Sequence, residues 1–256
     1  MQYRKTKAHE THKLQVQQAF DFAVTVCHAM PLLQAHLQEV AAGTASLSAP
    51  HYFSPNNSPT ALTASITTFE ERLSSYLLLS LFSFYEAFVK AAIQEMFDFH
   101  GGAEVFIELA QRREKARVNT APSQRVQAAL DKMRVYKKGK EERYQKHSVV
   151  LEDEKYRFPT EILSFYGVRM LVDRHKNLKA HAIPDIIEHG LLIPLSDNEK
   201  REFNRIREQR NKIAHGKNSS LDLRAVSVAN DHFREMTFRI NTRLVQNFFV
   251  IERYAS

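Results

Sequence analysis

The sequence predicts an all-α protein, and three observations carry that expectation. Its 256 residues hold only seven glycines and eight prolines, so few positions interrupt regular structure. No glycine falls between Gly43 and Gly101, or between Gly102 and Gly139. Apolar residues recur at spacings of three and four over long stretches, the period of a helix with one face turned inward. With 43% hydrophobic and 25% charged residues, the chain is long enough to bury a core. It reads as a single helical-bundle domain over residues 1–256, with a basic helical insertion at 103–160.

The elements follow in order. Val16, Phe20, Ala23, Cys27, Met30, Leu33, Leu37 and Val40 predict a helix over about 9–42, kinked at Pro31. Residues 46–60, with three prolines and Asn56-Asn57, read as a loop. A second helix is expected over 61–99. Leu73, Leu77, Leu81, Phe84, Phe88 and Ala91 form its stripe, and Tyr76, Leu78, Leu79 and Phe82 widen it. A helix apolar on most faces belongs at the centre of a bundle. Gly101-Gly102 ends it. Helices over 103–117 and 122–135, then a lysine-rich stretch to about 148, make up most of the insertion. Segment 149–160 is weakly organised, with room for a short extended piece. Another helix starts at Pro159-Thr160 and runs to about 172, with a shorter one after Pro184.

Ser196, three residues before Glu199, forms the capping-box pattern that starts a helix. Phe203, Ile206, Ile213 and Ala214 are its inward stripe, and Arg210 lies on the same stripe, two turns after Phe203. Gly216 is placed to stop this helix, leaving His215 at its C-terminal end. Ser219 is the expected cap of a last helix over 221–253, with Val226, Phe233, Met236, Ile240, Leu244 and Phe248 in register.

Charge is unevenly distributed. The net charge is +7. Between Gln111 and His147 stand 12 Lys/Arg and four acids, a net of +8, while the remainder carries 24 basic and 25 acidic residues, a net of −1. A concentration of this kind suits a polyanion, and it also suits a solvated arm charged for solubility. Within it Arg134, Lys137, Lys138, Lys140 and Arg143 interleave with Tyr136 and Tyr144, a composition able to hold backbone phosphates and stack unpaired bases.

Other chemistry is poorly supplied. The single cysteine, Cys27, allows no disulfide within one chain. A reducing, cytoplasmic setting is therefore expected. The N-terminus runs into an amphipathic pattern, not an apolar signal core. The stretch Tyr76–Val89 is interrupted by Ser80, Ser83 and Glu86 and falls short of the ~20 residues of a membrane span. His9, Glu10 and His12 lack the four-residue histidine spacing of a zinc-protease helix, and His175, His181 and His189 lack cysteine companions. No metal or other cofactor is expected.

What remains is Arg210-Asn211-Lys212-Ile213-Ala214-His215-Gly216. A permanently charged guanidinium and an imidazole that titrates near neutral pH stand with four residues between them. The residues alone leave several readings open. Arg210 can pair with Glu86, Glu208 or Asp222, His215 can simply cap terminal carbonyls, and Asn211 can be an exposed helix residue.

An Arg, a polar residue directly after it, and a His closing an amphipathic helix resemble the HEPN superfamily. The "RNKIAHG" run and the upstream "FSFYEAFVKA" helix are most similar to its RiboL-PSP-type members. The resemblance covers residues 61–100 and 196–253. It implies a metal-independent RNA endonuclease that uses the 2′-hydroxyl as nucleophile and leaves a 2′,3′-cyclic phosphate. Arg210, Asn211 and His215 would be the catalytic residues, supported by Glu86. It further implies a homodimer with a composite site, of the kind found in prokaryotic toxins and antiviral effectors, held in check by a cognate antitoxin or other regulatory protein. The alternative is a non-catalytic helical module that binds nucleic acid or a partner protein.

Overall fold

The computed structural model describes residues 5–47, 58–119, 165–217 and 220–249, with Gln124, Arg125, Ala128 and Lys146. The side chains of 113–119 and 165–166 are not among those described. All regular elements among these residues are helical, as the composition predicts. They are α1 (Lys7–Ala41), α2 (Pro59–Thr67), α3 (Phe69–Phe99), α4 (Ala103–Asn119) and α5 (Phe165–Lys176). A short irregular helical run, Ala180–Gly190, precedes α6 (Asp197–Ala214) and α7 (Leu223–Asn247). The helix expected over 122–135, the lysine-rich stretch and segment 149–160 lie outside the described residues.

Local chemistry sets the boundaries. α1 runs on through Pro31. The single helix expected over 61–99 is two, separated at Thr68. Thr63, Ser65 and Thr67 bond back to the carbonyls of Pro59, Ala61 and Ala64 at 2.9, 3.0 and 2.8 Å. Thr68 reaches the carbonyls of Ala64 and Ser65 at 3.3 and 3.4 Å. Hydroxyls that compete for helical carbonyls weaken the ladder and favour a break. Pro184 does not start the short helix of its region but stands inside the run that begins at Ala180. α7 begins at Leu223, and Asp222, not Ser219, caps it: its Oδ1 accepts from the Ala225 amide at 2.6 Å. Ser219 itself is outside the described residues.

The chain forms two compact units. The first takes Met1–His12, Tyr85–Arg207 and His232–Ser256. Its core contains Phe88, Val89, Ala92, Ile93, Met96 and Phe97 of α3, Phe106 of α4, Leu171 of α5, Phe203 and Ile206 of α6, and Phe233, Ile240 and Leu244 of α7. Tyr85 stacks on Phe233 with ring centroids 4.7 Å apart. Burial pushes its phenol well above the usual range. The start of α1 is tied to this core. Thr6 Oγ1 accepts from the His9 amide at 3.0 Å, and Glu95 of α3 accepts from the Lys7 and Ala8 amides at 3.1 Å each. Asn241 Oδ1 accepts from the Thr6 amide at 2.9 Å. Three chain segments thus cooperate to satisfy one helix end.

The second unit takes Lys13–Phe84 and Glu208–Asp231. Leu73, Leu77, Leu78, Leu81 and Phe82 of α3 are its buried centre, with Ala23 and Leu37 of α1, Ile66 of α2, and Leu221, Val226 and Ala229 around α7. The expected α3 stripe needs correction at four positions. Leu79 and Phe84 are half-buried, Ala91 is exposed, and Tyr76 is 67% exposed. The buried set (73, 77, 78, 81, 82, 85, 88, 89, 92, 93, 96, 97) is a regular band about two side chains wide. By length and composition α3 is apolar enough to cross a membrane, yet half of its most apolar window is buried within the fold. The α1 stripe is shallow, with most of its members half-buried.

Several histidines are accounted for by this packing. His175 is buried. Its Nε2 lies 3.1 Å from the Lys90 carbonyl, and its ring meets Phe97 edge-on at 5.4 Å. Burial holds its pKa below the usual imidazole value, against the opposing pull of the Lys90 carbonyl. Burial does the same to His232, outweighing the carboxylates of Glu202 and Glu199. Groups whose folded pKa is depressed below about 6.5 bind protons more readily when unfolded. Stability should therefore be flat in this respect above pH 6.5 and decline as pH falls through it. Urea denaturation midpoints of wild type and His175→Asn at pH 5.5 and 7.5 test this. The pH-dependent loss should be smaller in the variant, and equal losses would remove His175 from the account.

Candidate functional site

The candidate site is the C-terminal end of α6, and both ends of that helix are specified by short-range chemistry. At its start the Ser196 amide donates to Glu199 Oε2 at 2.7 Å, and the Glu199 amide donates to Ser196 Oγ at 3.3 Å. This is the reciprocal capping box read from the sequence. Glu199 also pairs with Arg239 of α7, which donates in addition to the Pro194 carbonyl. Burial pushes the Glu199 carboxyl up. The Ser196 amide and hydroxyl and the Arg239 guanidinium outweigh this and hold it below the usual carboxylate range.

At the other end, the Gly216 amide donates to the Ile213 carbonyl at 2.9 Å, and the Lys217 amide to the Lys212 carbonyl at 2.9 Å. Gly216 has φ +68°. These are the two bonds and the left-handed residue of a Schellman stop. They make His215 the last residue before the chain turns away. Its backbone amide still donates to the Asn211 carbonyl at 3.1 Å. Its side chain is exposed.

Arg210 and Asn211 are half-buried. The Arg210 guanidinium carbon stands 5.5 Å from the centroid of the fully buried Phe82 ring. Arg210 Nη1 donates to Asn211 Oδ1 at 3.1 Å. An aromatic face and a side-chain amide thus hold one part of the guanidinium. The inward stripe fades in this last turn. Phe203 and Ile206 are buried, Ile213 is half-buried and Ala214 is exposed, so Ala214 is not the core residue its spacing predicts.

The structure brings together Arg210 and Asn211. Arg210 and His215 leave the helix in different directions, since five residues at 3.6 per turn place them about 140° apart around the axis. Glu86 is half-buried on α3 and belongs to the first unit, whereas Arg210, Asn211 and His215 belong to the second. Glu208 is exposed, and the Asp222 carboxylate serves as the α7 cap. Arg134, Lys137, Lys138, Lys140 and Arg143 lie outside the described residues. Among the described residues no group of three or more His, Cys, Asp or Glu is arranged to hold a metal ion. The residue that sequence reasoning missed is Phe82. It registered only as one more apolar position on α3, and nothing local links it to Arg210.

An Arg-Asn pair and an exposed His stand at the stop of an amphipathic helix, and all regular elements among the described residues are helical. Residues 53–248 match the RiboL-PSP-HEPN family, and the chain belongs to that family. No curated protein and no solved structure matches it significantly.

The Schellman stop makes Gly216 a sensitive position. A Cβ there would meet no atom within 4 Å, so Gly216→Ala tests backbone strain without a clash. It should cost about 1–2 kcal/mol, the penalty for a left-handed L-residue. The measurement is the urea unfolding midpoint of the purified variant. An unchanged midpoint would mean that the stop does not constrain this end of α6.

Proposed function

We propose that this protein is a metal-independent RNA endonuclease whose reacting groups are Arg210, Asn211 and His215. The observation that carries the reading is the end of α6, where a half-buried, oriented guanidinium is followed five residues later by a solvent-exposed imidazole. Membership of the RiboL-PSP-HEPN family supports it.

The chemistry needs little more. RNA carries its own nucleophile. A base takes the proton from the 2′-hydroxyl, O2′ bonds to phosphorus, and the bond to O5′ breaks as an acid supplies that oxygen with a proton. The products are a 2′,3′-cyclic phosphate and a 5′-hydroxyl. An imidazole can both take and give a proton, so His215 can fill either role. The guanidinium offers a planar fork to the equatorial oxygens as their charge grows. Asn211 keeps that fork from rotating. Each chain supplies one motif histidine, so acid and base histidines require two copies. Because the backbone spreads Arg210 and His215 around the axis, two facing copies also offer the simplest way to surround one phosphate. The segment 111–147, net +8, would gather the substrate. A role as a toxin or defence effector, restrained by a cognate partner in the cytoplasm, fits an activity that destroys RNA without any cofactor.

The alternative, a non-catalytic module binding nucleic acid or protein, is favoured by the same basic segment, because binding a polyanion needs charge alone.

The test is to incubate the purified protein with labelled RNA in EDTA and analyse fragment ends. Fragments with 2′,3′-cyclic phosphate termini are expected. His215→Ala should lower the rate about 10²–10⁴-fold with unchanged helicity, the usual worth of general acid–base help. Retained activity in this variant, or cleavage that needs magnesium, sinks the proposal.

A separate experiment addresses the basic segment. Neutralising Lys137, Lys138 and Lys140 together should weaken RNA binding and flatten its salt dependence, with log–log slope reduced by about two to three. Filter binding across a salt series measures this. An unaltered slope would exclude these lysines as phosphate contacts.

A further inference from the structure

We infer that the interior of the first unit is a binding site for one ordered water molecule, which bridges the Tyr85 hydroxyl of α3, the Glu199 carboxylate at the start of α6 and His232 Nε2 of α7. The inference does not rest on the ribonuclease reading, and its test involves no RNA.

The observation is a pair of buried polar atoms on residues that line one cavity. Tyr85 is fully buried, and its hydroxyl has no hydrogen-bond partner among the described residues. The same holds for the buried Nε2 of His232. Both residues line a cavity of about 10 Å³, and Glu199 lines it with them. The other lining side chains, Phe203 and Met236 among them, are apolar. All of these residues belong to the first unit, so the cavity lies inside one compact body. A buried polar atom left unbonded is costly, and protein interiors almost always supply it a partner. The Tyr85 ring has little freedom to seek one elsewhere. It stacks on Phe233 at 4.7 Å and meets Phe203 at 6.2 Å.

Size and polarity select the occupant. One water needs roughly 10–15 Å³ and two to four polar partners, and a cavity of this volume excludes any organic ligand. Tyr85, His232 and Glu199 make three partners. The Glu199 oxygens already accept from the Ser196 amide, the Ser196 hydroxyl and Arg239. A carboxylate has about four acceptor positions, so one remains for the water.

A count of hydrogens then fixes the direction of each bond. Burial raises the Tyr85 pKa well above the usual range, against the opposing charge of Arg239, so the hydroxyl stays a donor. Burial lowers the pKa of His232 against the carboxylates of Glu202 and Glu199, with Arg205 adding to the effect of burial. The imidazole is therefore neutral just above pH 7. The Glu199 carboxyl lies below the usual range and only accepts. One arrangement leaves no hydrogen unused. Tyr85 donates to the water, and the water donates one hydrogen to Glu199 and the other to His232 Nε2. His232 thus carries its proton on Nδ1, and a single molecule ties α3, α6 and α7 together.

The test uses the full chain. In Tyr85→Phe the ratio of folded to unfolded protein should fall roughly fivefold, read from urea denaturation, because the water loses its donor. A hydroxyl with nothing to bond would give the opposite sign, since its removal relieves a buried polar atom. Circular dichroism of the variant should be unchanged. Two measurements need no variant of Tyr85. Side-chain nitrogen NMR just above pH 7, with the His232 signals assigned by their loss in His232→Asn, should show Nδ1 protonated and Nε2 bare. A high-resolution crystal structure should show one water within hydrogen-bond distance of the Tyr85 hydroxyl and His232 Nε2. An unchanged or raised stability of Tyr85→Phe, a proton on Nε2, or a crystal structure in which the two side chains bond directly would each overturn the proposal. RNA cleavage, measured separately, stands or falls without altering these outcomes.

Discussion

Both compact units are built on the interior of α3. A 31-residue helix buries a band from Leu73 to Phe97, and that band supplies core to the unit holding the first half of the helix and to the unit holding the second. Fully burying one such side chain stabilises by about 1.5–3 kcal/mol, so a dozen positions in register outweigh any single cap or ion pair. The regular spacing of that band, set by the helical repeat, determines which faces of the other helices turn inward. Phe82 is the point where this constraint touches the candidate site. It is a core residue fixed by packing, and its ring face is what the Arg210 guanidinium lies against.

The end of α6 shows how little is needed to set a guanidinium and an imidazole in different surroundings. Two backbone bonds and one left-handed glycine end the helix, which leaves an imidazole in solvent. Five residues earlier the guanidinium keeps contact with an aromatic face and an amide oxygen. The division is chemically sensible. In the proposed reaction a phosphate clamp gains from being oriented before substrate arrives, while a proton-transfer group gains from access. The opposite end of the same helix is held by Ser196, Glu199 and Arg239, so its register is specified twice, at both ends.

α1 combines both kinds of surface. Its inward stripe is shallow, and its outer face exposes Leu14, Phe22 and Leu32. A helix needed only to cover a bundle has no use for exposed Leu14, Phe22 and Leu32, which burden solubility. The basic charge of the chain lies elsewhere, between Gln111 and His147.

The sequence by itself determined the features that depend on neighbours within a turn or two. The all-α class, the capping box at Ser196, the stop at Gly216 and the buried register of Val226 through Phe248 are all local, set by periodicity and by side chains that reach their own backbone. Where local signals compete, the reading failed. The hydroxyl cluster at Thr63–Thr68 broke a helix whose apolar pattern ran on, and Asp222 took the cap expected of Ser219. Only the tertiary structure decided which flank of α3 faces solvent, leaving Tyr76 and Ala91 out of the core, and that Glu95 and Asn241 secure the start of α1. It alone set Phe82 beneath Arg210. These contacts join residues 88, 235 and 128 positions apart. Periodicity fixes a side chain's direction around its own axis, but the partner it meets depends on how separate helices pack, which no short window of sequence contains.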